Sequence, residues 1–129
     1  MRCIELRQFG DPTGLVLAER PDPQPGPGEV RIDLVAAALN RRDWWIRRGG
    51  KVELPAVLGS DGAGVVRSVG EGVSGVAPGD EVVIYPGRSW GSSEAAPGAD
   101  FEILGVPSQG TYAEQVCVRA EDAWPRPPG

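Results

Sequence analysis

Residues 57–66 read VLGSDGAGVV, three glycines with a serine and an aspartate between aliphatic flanks. A phosphate-binding dinucleotide fingerprint would read G-x-G-x-x-G between a strand and a helix. From Gly62 the residues run G-A-G-V-V-R, so Arg67 stands where the third glycine belongs. The continuation VVRSVG is β-branched and ends on turn glycine, which opens no helix whose N-terminus could hold a pyrophosphate. Gly62 and Gly64 instead mark a strand that kinks or packs closely against neighbouring backbone.

The pattern on either side is also that of strands. EVRIDLVAAALN alternates, with Val30, Ile32 and Leu34 inward and Arg31 and Asp33 outward, before an all-apolar stretch expected to be buried on both sides. MRCIELRQ places Ile4 and Leu6 on one face and Arg2, Glu5 and Arg7 mostly on the other. GLVLAER is a second short apolar run, and PDPQPGPGE is a loop because proline removes donors and fixes φ. GAGVVRSVGEGVSGV and APGDEVVIYP predict two strands joined by glycine turns, carrying Val65, Val66 and Val69, then Val82, Val83 and Ile84. GTYAEQVCVRAEDAW predicts a last long strand, with Tyr112, Glu114 and Val116 leading into Val118. RRDWWIRRGG lacks strand alternation and predicts one or two helical turns with a glycine stop. The excursion from Gly87 to Gln109 is too long for a plain loop. The sum is a mainly β chain with one or two short helices, closed as a small barrel or sandwich.

The 129 residues suit one compact domain. The net charge of −5, from 13 basic and 18 acidic residues, argues against a general nucleic-acid footprint. One basic run, Arg41, Arg42, Arg47 and Arg48, reads first as a solvated helix face and second as an attractor for an anionic cofactor or substrate. Histidine is absent, and the two cysteines, Cys3 and Cys117, form no C-x-x-C pair. A transition-metal site would have to be built from carboxylates and amides, so no metal is expected. No apolar stretch has membrane-spanning length and the N-terminus lacks an uninterrupted apolar core, from which a soluble, unprocessed, cytoplasmic protein without a membrane partner is expected.

LGSDGAGVVRSVGEGVSGVAPGDEVV resembles the catalytic-domain signature of the medium-chain dehydrogenase/reductase superfamily, G-H-E-x-x-G followed by V-G-x-x-V and G-D-x-V. EVRIDLVAAALNRRDW is similar to the strand and short helix that carry the catalytic cysteine in its zinc alcohol dehydrogenases. LGVPSQGTYAEQVCV is similar to L-G-x-x-x-x-G-x-[FY]-A-E-Y-V-x-V. The resemblance covers nearly the whole chain and implies a GroES-like, partly open β-barrel over residues 1–124, without a Rossmann domain, and the start of a linker to a cofactor domain at 125–129.

The departures from this pattern bear on the chemistry. Asn40 stands at the cysteine position, Ser60 at the histidine and Asp61 at the glutamate, while the 87–109 lobe lacks the cysteines of a structural zinc site. The lobe is then expected to pack around Trp90, Phe101 and Ile103. The resemblance is to the zinc-free branch related to quinone oxidoreductases. It implies hydride transfer from NADP(H) or NAD(H), gripped mainly by another domain, to a carbonyl, enone or quinone substrate, and leaves room for a homodimer. It makes Asn40, Asp43, Ser60 and Asp61 candidate catalytic residues and Arg42, Trp45 and Trp90 candidate lining residues. Asn40 can equally serve only as the N-cap of the helix that follows. With no dinucleotide motif of its own, the chain by itself is expected to be inactive; a freestanding β-barrel binding or interaction module is the alternative function.

Overall fold

The computed structural model describes residues 1–128. In chain order the strands are β1 (Arg2–Leu6), β2 (Leu15–Glu19), β3 (Glu29–Ala38), β4 (Ala56–Val57), β5 (Asp61–Val69), β6 (Glu81–Ile84), β7 (Gly87–Arg88), β8 (Glu102–Ile103), β9 (Gln115–Arg119) and β10 (Ala123–Pro125). One α-helix, α1 (Arg41–Gly49), follows β3, and single 3-10 turns occupy Pro12–Gly14 and Ala120–Asp122. A five-stranded sheet ordered β10-β6-β5-β3-β9 and a three-stranded sheet ordered β2-β1-β4 make up a partly open barrel, and β7 pairs with β8 in the lobe. All strand pairs are antiparallel.

The larger core gathers Val30, Ile32, Val66, Val82, Ile84, Val116 and Val118 from the strands with Leu104 from the chain leaving the lobe. A smaller core, Leu6, Ile46 and Leu58, seats α1 against the three-stranded sheet. The α1 residues Asp43 and Ile46 are buried. The helix ends as its glycines dictate: Gly49 adopts φ +148°, and the Gly50 amide donates to the Ile46 carbonyl oxygen.

The expected burial of the apolar run after Leu34 is overturned. Val35 is 78% and Leu39 91% exposed, and Ala36 to Ala38 are exposed with them. The ladder between β3 and β5 shifts between Leu34, opposite Gly64, and Ala36, opposite Ala63, so Val35 is an extra bulged residue. Beyond Asp33, β3 also outruns its ladder with β9, and from Ala36 to Ala38 it pairs only with β5, leaving its outer edge without a strand. Gly64 is required at the bulge, because a Cβ there would overlap the Asp33 carbonyl oxygen.

Glu5 is a second correction. It does not face outward with Arg2 but is 5% exposed, accepting from Arg7 Nε at 2.9 Å and Arg20 Nε at 2.6 Å. These partners, Arg20 before Arg7, hold its carboxyl below the usual carboxylate range. Strand alternation cannot foresee this, since Arg20 lies across the β1–β2 pair.

The last strand is shorter than expected. Residues 110–112 instead bond to the entry of β5: the Gly110, Thr111 and Tyr112 amides donate to the carbonyls of Val57, Gly59 and Leu58. In the lobe, Trp90 and Phe101 meet edge to face with centroids 5.2 Å apart, while Ile103 pairs with Gly87. Arg88 ties the lobe to the barrel through Glu102 at 3.2 Å and Asp122 at 3.7 Å. The linker expectation for 125–129 starts on Pro125, which pairs with Val82, and ends on Gly129, which lies outside the described residues.

Candidate functional site

The exposed end of β3 delivers Asn40 to the start of α1, where it adopts an extended backbone and caps the helix. Its Oδ1 accepts from the Arg42 amide at 3.0 Å, and its own amide donates to Asp43 Oδ2 at 3.0 Å, closing a capping box. Its Nδ2 donates to Asp61 Oδ2 at 3.1 Å. With one bond fixing each end, the amide has a defined orientation and retains a second N–H for a ligand. Asn40 is exposed.

Asp43, buried at 6% exposure, accepts on both of its oxygens. Oδ2 accepts from the Asn40 amide and from the Tyr112 hydroxyl at 2.9 Å, and Oδ1 accepts from the Gly59 amide at 2.9 Å. Burial first, then the bond to Asp43, pushes the Tyr112 phenol well above its ordinary value. Gly59 allows the close approach: it adopts φ +98°, and a Cβ there would come within 2.7 Å of the Tyr112 ring.

Ser60 is 2% exposed, and its Oγ has no hydrogen-bond partner. Asp61 is half-buried; its carbonyl oxygen accepts from Thr111 Oγ1 at 2.9 Å while its carboxylate holds Asn40. Gly62 lies under Thr111 and Leu34, where a Cβ would meet Thr111 Cγ2 at 2.8 Å. The opening glycines therefore serve close packing. At the three positions where the resemblance places zinc-site residues, the donors are an amide already engaged at both ends, a hydroxyl and one carboxylate. Among the described residues no group of three or more His, Cys, Asp or Glu is gathered to hold a metal. This set does not fit the nitrogen and sulfur ligation that zinc favours.

The structure thus joins Asn40, Asp43 and Asp61 in one network, with Ser60 beside them in sequence. Arg42 is turned to the lobe, donating from Nη2 to the Val106 carbonyl at 2.8 Å and from Nη1 to the Leu104 carbonyl at 3.4 Å. Trp45 is 57% exposed, with the Arg41 guanidinium over its ring at 5.7 Å. Trp90 belongs to the lobe, its Nε1 donating to the Ser93 carbonyl at 2.7 Å. Neither tryptophan bonds to the Asn40 network. Trp44, which the sequence reading did not select, lines a cavity of about 240 Å³ with Leu15, Leu39, Asn40, Leu58 and Tyr112. Tyr112 was also missed as a site residue. Its signal was available, since a tyrosine followed by a return to strand pattern needs a partner for its hydroxyl when buried.

Residues 26–128 match the family model for the alcohol dehydrogenase GroES-like domain. Among solved structures, an NAD-dependent alcohol dehydrogenase is 48% identical with a TM-score of 0.92, over 98% of this chain and 40% of that one. Among curated relatives, starvation-sensing protein RspB of Escherichia coli is 33% identical over 90% of this chain and 37% of its own length. Quinone oxidoreductase of Mus musculus is 38% identical over 83% and 34%. The chain thus spans little more than a third of these curated relatives. The barrel, the lobe and the matched region agree, and the chain belongs to the alcohol dehydrogenase GroES-like domain family.

Proposed function

We propose that this chain is the substrate-side domain of a zinc-independent NAD(P)H-dependent oxidoreductase acting on a small carbonyl, enone or quinone compound. The observation that carries the reading is Asn40, an exposed amide clamped by the Arg42 amide and Asp61, with one N–H unspent. Negative charge grows on the substrate oxygen as hydride adds to a carbonyl or enone. A donor whose orientation is fixed beforehand stabilises that charge without reorganising. Asn40 is the proposed donor, and Asp61 is proposed to keep its amide from turning. Asp43 is proposed to position Asn40, since it is buried and both of its oxygens already accept from protein donors. The buried Ser60 hydroxyl, without a protein partner, is proposed to take a water or ligand oxygen.

A bound nicotinamide supplies the hydride, and the protein contributes orientation. The exposed Asn40 amide and the uncovered apolar end of β3 suit one wall of such a site. Arg42, Trp45 and Trp90 remain proposed lining residues, with Trp44 added. The cofactor is proposed to be gripped by a nucleotide-binding domain, so that turnover needs this chain joined to one.

The test is NAD(P)H oxidation by a polypeptide carrying both parts, with a quinone and an unsaturated aldehyde as substrates. Asn40→Ala is expected to lower kcat/KM about a hundredfold, and a chelator is expected to leave the rate unchanged. An unaltered Asn40→Ala enzyme, or activity that follows added zinc, would remove this reading.

A further inference from the structure

The Asp43 carboxylate joins three parts of the chain that are distant in sequence. It takes the Asn40 amide from the end of β3, the Gly59 amide from the entry to β5, and the Tyr112 hydroxyl from the segment before β9. The backbone prepares the third contact. Thr111 and Tyr112 donate their amides to Gly59 and Leu58, the Ile4 amide donates to the Tyr112 carbonyl at 2.7 Å, and the glycine at 59 leaves room for the ring. A carboxylate can only accept, so the phenol must donate its single proton. Its distance to Asp43 Oδ2, 2.9 Å, is shorter than that to the alternative acceptor, the Ala38 carbonyl, at 3.5 Å.

We infer that Tyr112 is a positioning residue for Asn40: its hydroxyl holds Asp43 in the rotamer that fixes the Asn40 backbone and, through it, the direction of the Asn40 side-chain amide. The inference rests on the function proposed for Asn40, but the link between the residues stands on its own geometry. The chain of contacts runs from Tyr112 Oη to Asp43 Oδ2, from the same oxygen to the Asn40 amide, and from Asn40 Nδ2 to Asp61. Both Oδ2 contacts share one atom. Losing the hydroxyl leaves Oδ2 with the Asn40 amide as its one protein donor, so the carboxylate can settle at a new angle between that bond and the one from Gly59 to Oδ1, moving the Asn40 backbone with it. Buried networks of this kind couple their members more strongly than isolated pairs.

Asn40 is the sole asparagine of the chain, so its amide can be watched selectively. In protein labelled with ¹⁵N-asparagine, the spectrum holds one side-chain NH₂ pair. Tyr112→Phe is expected to narrow the separation of the two protons and to speed their exchange with water about tenfold, with the backbone amide of Asn40 shifting as well. A folded Tyr112→Phe protein with a lowered Tm and unmoved Asn40 resonances would show a merely structural tyrosine and overturn the inference. Should that variant not fold, the link is read in Tyr85→Phe, where Tyr112 is the sole remaining tyrosine. Adding Asp43→Asn is then expected to lower the pH at which tyrosinate absorbance appears, because the bond to the carboxylate holds the phenol's proton; an unmoved midpoint overturns the link.

In the two-domain enzyme, Tyr112→Phe is expected to lower kcat about tenfold with little change in KM. If Asn40→Ala is without effect while the resonances still respond to Tyr112→Phe, the proposed function fails and the positioning link survives.

Discussion

The Arg42 guanidinium reaches from the first turn of α1 to the carbonyl oxygens of Leu104 and Val106, on the chain leaving the lobe. Burial lowers its affinity for the proton, with Asp43 acting in the opposite sense. Two side-chain hydrogen bonds therefore tie the helix that Asn40 caps to the end of the lobe.

Replacing this clamp is expected to free the lobe before it unfolds the barrel. Arg42→Ala should cost about 2 kcal/mol, the scale of hydrogen bonds from a charged donor. Limited proteolysis should cleave between residues 90 and 100, all exposed in the structure, well before the rest of the chain. Cleavage no faster than in the native protein would show that Arg42 does not hold the lobe.

Glu5 makes stability depend on acid. Its carboxyl lies below its unfolded value in the folded protein, held there by Arg20 and Arg7, so its contribution is complete above the unfolded value and disappears as pH falls through the folded one. Glu5→Gln should cost about 2 kcal/mol near neutral pH. Urea titrations of the two proteins should converge as pH falls from the ordinary glutamate value, about 4.3, through the lowered value of the folded carboxyl. A gap that stays constant with pH would assign the cost to packing.

Gly64 and Gly10 separate two reasons for glycine. A Cβ at Gly64 meets the Asp33 carbonyl oxygen across the bulge, whereas Gly10 adopts φ +103° with open space around it. Gly10→Ala should cost about 1 kcal/mol from conformation alone. Gly64→Ala should cost upwards of about 3 kcal/mol, because backbone must move. Denaturant midpoints compare them directly, and equal costs would mean that the bulge accommodates the methyl group.

Trp44 and Trp45 are neighbours in sequence and meet edge to face, but only Trp44 lines the cavity beside Asn40. A small aromatic carbonyl compound titrated into the chain should quench Trp44. The quench should vanish in Trp44→Phe and persist in Trp45→Phe. The reverse pattern would place the ligand on the outer face of the helix.

The strands with regular alternation, Val30 to Leu34 and Val82 to Ile84, were legible from sequence because side-chain period and burial coincide there. So was α1, which is bounded by an asparagine cap and two glycines that act within one turn. That the chain has no histidine and only two cysteines was equally a matter of counting residue types. Long-range relations were not legible. The exposure of Val35 to Leu39 follows from a bulge opposite Gly64 and from the point at which β9 stops pairing, neither of which local periodicity encodes. The burial of Glu5 depends on an arginine that follows the next strand. The site shows the same division: the family resemblance singles out Asn40, Asp43, Ser60 and Asp61 as candidates, but the hydrogen bond that brings Tyr112 to Asp43 spans 69 residues. Sequence determines what each segment can form and which donors exist; only folding decides which distant donor reaches which acceptor, because that depends on how the sheets close around one another.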